Sequence, residues 1–264
     1  MIKRLLAIGL LTLPSADPCT RVLAGAIPPA TSHAQQPLKY HFITAYTMVG
    51  PAGGETGTHV VTADFRASND SLRWTSVTVG PSAGHGQPAT AGEHQVYMEG
   101  LAYAREGQNL TSSDFFRGFP DAATDERNLV WDELMFHGFA AGIDRLRLNE
   151  PVVAPSEDVP LAGTGTFTNR RIELTLLGVG RRNGEDCFLV HYEALLNTFT
   201  INVGAMAVSG RSDYLGDIWV SIRTRQIEYG TLFEEVAGVI ANIPGSSGPQ
   251  PLHVLRTATL QHLP

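Results

Sequence analysis

The stretch RIELTLLGVGRRNGEDCFLVHYEAL, residues 171–195, decides the fold. Two β-rich runs, 171–179 and 187–195, flank the turn signal Arg182-Asn183-Gly184. A two-residue Asn-Gly loop would set Leu176 against His191 and Leu174 against Glu193, mixing apolar and polar side chains on one face. A three-residue loop with Gly184 in the left-handed conformation moves the pairing by one. Ile172, Leu174 and Leu176 then face Ala194, Tyr192 and Val190. A one-residue slip turns a whole strand face over, so the apolar match predicts the three-residue loop.

The same pattern extends in both directions. Ile218, Val220 and Ile222 match Thr231, Tyr229 and Ile227 across residues 223–226, and 252–260 reads as a closing strand. Upstream, residues 40–49, 60–66, 72–79 and 94–104 read as strands of an antiparallel meander, separated by the turn-rich segments 51–57 and 80–92. Residues 121–139 change character. Asp121 and Thr124 can cap a helix, Asp125 and Glu126 suit its first turn, and Val130/Leu134 and Trp131/Met135 recur four apart before Gly138 as a stop. The fold class expected is mainly β: a curved antiparallel sheet or half-barrel with one main α-helix packed on its apolar face. The proline-rich stretch 150–160 reads as a crossover loop, with an internal division there as the alternative.

The N-terminus carries the strongest cue to location. Lys3 and Arg4 precede the apolar run 5–13, which has the length of a signal-peptide core and is too short to span a bilayer. Residues 1–34 are therefore expected to be a signal peptide and 35–264 a single exported β-rich domain, periplasmic or extracellular. Cleavage at Ala34 is preferred to Ala26, because Gln35-Gln36-Pro37 then begins a polar mature end. Cys19 is a poor acylation site, since Ala16-Asp17-Pro18 does not fit a lipobox. Removing residues 1–34 changes the formal charge from −7 to −9, because Lys3, Arg4, Arg21 and Asp17 leave. Such an acidic chain is a poor partner for nucleic acid or anionic lipid. No transmembrane segment is expected in the mature chain. Cys187 alternates with apolar neighbours and reads as a small buried residue.

Standard catalytic, phosphate-binding and metal-binding motifs are absent from the sequence, so no cofactor and no metal are expected. The bulged register nevertheless places Glu173 opposite Glu193 and Thr175 opposite His191. Two opposed carboxylates repel unless something neutralises them. A neighbouring arginine (Arg171, Arg223 or Arg225) is the structural answer. A cation held with His191, or a carboxylate made into a general acid by crowding, is the functional one. On the second hairpin Trp219 and Glu228 share a face, with Gly230 opposite Trp219. The glycine makes room for the ring, or else the indole is a platform for a ligand. Glu173, His191, Glu193, Trp219 and Glu228 are thus the candidate ligand-binding residues, and no catalytic residue is assigned. Asp213/Asp217, Asp132/Glu133 and Glu234/Glu235 read as ordinary acidic pairs on solvated faces.

An export signal, a meander, a helical insert and long hairpins ending in Gly216-Asp217-Ile218-Trp219-Val220 and Ile227-Glu228-Tyr229 make a layout similar to that of the periplasmic lipoprotein-localisation proteins and the secreted families built like them. The resemblance is one of architecture and implies an open sheet wrapped around a helix, sheltering an acyl chain or other apolar ligand. The function expected is a non-enzymatic exported binding or carrier protein for an apolar or amphipathic small molecule or lipid. Alternatives are a hydrolase or lyase using Glu173, His191 and Glu193, and an envelope interaction module acting through a sheet edge or residues 80–92.

Overall fold

A computed structural model describes residues 37–68 and 71–264 of the chain. The signal peptide, its cleavage sites and Cys19 lie outside the described residues. In chain order the elements are β1 (Leu38–Val49), β2 (Glu55–Ala67), β3 (Ser71–Ser82), β4 (Glu93–His94), β5 (Ala102–Ala104), α1 (Thr124–Ala141), β6 (Val152–Ala154), β7 (Glu157–Pro160), β8 (Gly165–Asn169), β9 (Arg171–Arg182), β10 (Glu185–Val203), β11 (Met206–Ser221), β12 (Ile227–Ala241) and β13 (Gln250–Leu263). All strands join one open, curved, antiparallel sheet ordered β4-β3-β2-β1-β13-β12-β11-β10-β8-β7, with β5 on β3, β9 on β10 and β6 on β9. The closing strand pairs with both β12 and β1, so it knits the two meanders together at mid-sheet. The described residues form the expected mainly β half-barrel, with one α-helix among them.

The first hairpin reaches the expected pairing by another route. Arg182 pairs with Glu185 around a two-residue Asn183-Gly184 loop, both residues at positive φ (50° and 81°). This is the turn whose twist matches a hairpin. The register moves by one further along, where Leu177 is an extra residue between the pairs Gly178/Leu189 and Leu176/Val190. Beyond that bulge Ile172, Leu174 and Leu176 face Ala194, Tyr192 and Val190. The turn therefore follows its own local preference, and the bulge restores the apolar face while bending the strand.

The second hairpin departs from expectation. Ile218 faces Gly230 and Trp219 faces Tyr229, whereas Val220 faces Ile227, leaving Glu228 as the bulged residue. Gly230 makes room for Phe136, since a Cβ there would sit 3.0 Å from that ring, while the glycine under Trp219 is Gly180. Residues 94–104 do not form one strand; they hold the end of β4, a 3₁₀ turn at Val96–Met98 and β5. The 150–160 stretch contributes β6 and β7 to the sheet instead of a bare loop.

The helix starts after Ala123 with no side-chain cap, passes through Gly138, and stops at Gly142. It is buried on more than one side because it lies between the concave sheet and the segment 95–123. Phe136 packs on Phe42 and Tyr192 of the sheet. Trp131 turns the other way, packing on Phe116 and donating Nε1–H to the Leu110 carbonyl at 3.1 Å. Glycine also shapes the curl. A Cβ on Gly216 would overlap the Thr231 carbonyl, which accepts the Tyr192 hydroxyl at 2.8 Å.

Candidate functional site

The register arranges the concave face of β10–β13, β1 and β2 in rows. The rows Ile218–Gly230–Leu260–Phe42–Ala63 and Gly216–Leu232–Ala258–Thr44–Val61 are buried and lie under the helix. At the other end lie the rows Ile201–Val208–Ile240 and Phe199–Gly210–Gly238–Leu252, followed by Val236–Val254–Met48. Apart from Phe199, these apolar side chains are half-buried or, for Met48, 36% exposed. They form an apolar apron that extends past the helix.

Between core and apron runs a polar belt, Tyr214–Glu234–Arg256–Tyr46–His59, one residue per strand from β11 to β2. Helix α1 completes it. Arg256 Nη2 donates to Asp132 Oδ1 at 2.6 Å, and its Nε lies 2.7 Å from Glu234 Oε2. Ser212 donates to Glu234 Oε1 at 2.6 Å, and the Tyr214 hydroxyl to Asn169 Oδ1 at 3.1 Å. Asn128 donates to the Tyr46 hydroxyl at 3.1 Å. His59 stacks on Tyr46, with centroids 4.9 Å apart, and reaches Asp125 at 2.8 Å.

The electrostatics are unbalanced. Asp132 and Glu234 share one guanidinium, and their side chains are only 8% and 13% exposed. Burial, opposed by Arg256, raises the Asp132 carboxyl to about 6. Burial works against the charge on Arg256, but Asp132 and Glu234 keep it firmly protonated. The hydrogen bond to Asp125 raises His59. Asp132 Oδ2 and Thr44 Oγ1 have no hydrogen-bond partner among the described residues. A buried carboxylate oxygen left without a donor is costly, so this arrangement favours taking up a proton or a cation.

The residues singled out from sequence lie elsewhere. Glu173, His191 and Glu193 are neighbours on the convex face: Glu173 pairs with Arg171, and His191 Nδ1 lies 2.9 Å from Asp217. Among the described residues there is no group of three or more His, Cys, Asp or Glu able to hold a metal ion. Trp219 packs over Gly180, beside Tyr229 and the Arg182 guanidinium stacked on it at 3.9 Å. Glu228 is buried at the opposite end of the sheet from the apron, 2.9 Å from His262. Cys187 is buried and its thiol is pushed up to about 12 by desolvation, so it stays protonated.

The belt was missed because Asp132/Glu133 and Glu234/Glu235 look like solvated acidic pairs. In fact Asp132, Glu133 and Glu234 are turned inward, Glu133 onto Arg105 at 2.7 Å, while Glu235 stays outside with His253. One sequence signal existed: Glu234 and Arg256 occupy inward positions of strands that otherwise put Leu232, Val236, Val254, Ala258 and Leu260 on that side.

A second concavity of about 280 Å³ opens at the C-terminal end of α1, lined in part by Arg105, His137, Ile143, Asp144, Thr224 and Arg225. Burial and the nearby Arg105 charge push His137 down to about 4, so it is neutral near pH 7. No helix among the described residues is long and apolar enough to cross a membrane. No protein-family model matches the chain, and no curated protein matches it significantly.

Proposed function

We propose that this chain is an exported, non-enzymatic binding or carrier protein for an apolar or amphipathic small molecule. The ligand lies along the apron of β10–β13 and β1, and any polar end rests on the belt. The observation that carries this reading is the half-buried apolar apron next to the sealed core, on the concave side of the same strands. Val208, Leu252 and Val236 lose part of their contact with water there without joining the close-packed core to which Leu260 belongs. A hydrocarbon chain laid along these rows would supply that packing.

The test uses the full chain purified gently from an exported fraction. Native mass spectrometry is compared with the denatured mass, and the neutral fluorophore N-phenylnaphthylamine is titrated. Extra mass lost on denaturation, or saturable fluorescence weakened about tenfold by Val208→Asp or Leu252→Asp but unchanged by the convex-face control Val239→Asp, supports the reading. A folded protein that shows neither extra mass nor saturable fluorescence overturns it.

A further inference from the structure

We infer that the ligand of this concave face is a cationic amphiphile, with its ammonium group held at the belt by Glu234 and Asp132 and its chain on the apron. This rests on the carrier reading and narrows it to a ligand class. The charges around the belt can be counted from the residues present. Asp132 and Glu234 face one guanidinium, that of Arg256. At the far end His59 faces Asp125, a pair that is neutral when the imidazole is protonated and negative when it is not. The inward positions of the apron rows hold no lysine or arginine. The other buried cations are engaged elsewhere: Arg105 with Glu133, and Arg127 with the carbonyls of Pro120 and Asp121. The belt therefore carries at least one uncompensated negative charge.

The hydrogen-bond inventory points the same way. Asp132, with 8% of its side chain exposed, keeps Oδ2 without a donor among the described residues. Thr44 Oγ1, one row below Arg256 on the adjacent strand, is also without a hydrogen bond, as is Arg256 Nε, although that nitrogen lies 2.7 Å from Glu234 Oε2. An ammonium group brings N–H donors and the missing charge together. An anionic headgroup would meet two carboxylates and a guanidinium already engaged by both. In a partly desolvated site such a mismatch discriminates strongly between the two. The chain's formal charge of −7 adds a field of the same sign.

The experiment displaces N-phenylnaphthylamine from the full chain with dodecylamine, as its ammonium ion, and with dodecanoate, both below their micellar concentrations. The expected result is displacement by the ammonium at about tenfold lower concentration, or a still lower one. That ratio, taken within each variant against its own neutral-probe affinity, should shrink in Glu234→Gln and in Asp132→Asn. Should both variants fail to fold, the wild-type ratio is read against added salt, which must lower it if charge is the cause. Equal displacement, preference for dodecanoate, or a ratio indifferent to salt and to both substitutions overturns the inference while leaving the carrier reading standing. Failure of the neutral probe to bind at all overturns the carrier reading first.

Discussion

The two ends of the concave face are cut from the same strands and alternate in the same way, yet only one is covered. Leu260 and Leu252 show the contrast. They lie on one strand and point to one side, but Leu260 is 2% exposed beneath the helix while Leu252 is half-buried on the apron. The difference is one of reach. The 18 residues of α1 span about 27 Å at the rise of an α-helix. The 19 residues of β10 span about 63 Å at the rise of a strand. Set across the sheet, one helix cannot cover both ends, and the belt marks where its cover stops. The apolar alternation of a strand says which side faces inward; what lies on that side depends on the length and placement of a different element.

The sharpest way to break this division is at the belt. Arg256→Met would leave Asp132 and Glu234 buried side by side without a counter-ion. The expected loss is about 3–5 kcal/mol, read from urea denaturation with the slope unchanged. A loss below about 1 kcal/mol would show that the belt is open to water and marks no boundary.

The next largest effect compares the two ends directly. Leu260→Ala should cost about 2–5 kcal/mol, because it empties space in a closed core beside Phe42. Leu252→Ala should cost less than about 1 kcal/mol, since little packing is lost on a half-open face. Equal costs would mean the apron is as tightly packed as the core, and would remove the basis for a ligand there.

How much of this was legible in the sequence follows from the range of each interaction. Pairing and twist are local, so Asn183-Gly184, the alternation of 172–176 and 190–194, and the apolar run in 218–232 foretold a curved antiparallel sheet. The bulge at Leu177 was not legible from the turn, since it answers to packing ten or more residues away. Nor was the route taken by Glu228. The belt was hidden for a further reason. Asp132, Glu234 and Arg256 are far apart in the chain and meet only when helix and sheet are assembled, and singly each resembles a surface charge. Trp131 belongs to the four-apart apolar repeat of a helix expected to pack on the sheet, yet it faces the 95–123 segment, because α1 is enclosed from two sides where one amphipathic stripe would have implied a single contact.

The smallest effect is in the pH dependence, and it separates the belt from the far end of the helix. Native Asp132 has its carboxyl at about 6, above the ordinary 3.8, so the stability it contributes is complete below about 4 and is lost as pH rises through 6. His137 works in the opposite sense. Its native value of about 4 lies below the ordinary 6.5, so its contribution is complete above 6.5 and is lost as pH falls toward 4. In the intact protein these slopes oppose each other over the same interval. Burial also raises Glu126 and Glu133, so Asp132→Asn removes one of several falling contributions, and the variant should gain about 1–2 kcal/mol relative to the intact protein's profile between pH 4 and 6.5. His59 acts in a separate range. Its native value is raised by the hydrogen bond to Asp125, so its contribution is present below 6.5 and lost as pH climbs through that raised value. His59→Gln should therefore flatten the decline above pH 6.5 and leave the acid limb alone. Chemical denaturation at half-unit pH steps reads all three slopes. An Asp132→Asn profile that falls as steeply from pH 4 to 6 as the intact protein's would move the titrating carboxyl out of the belt, and with it the charge that divides the covered half of the sheet from the bare one.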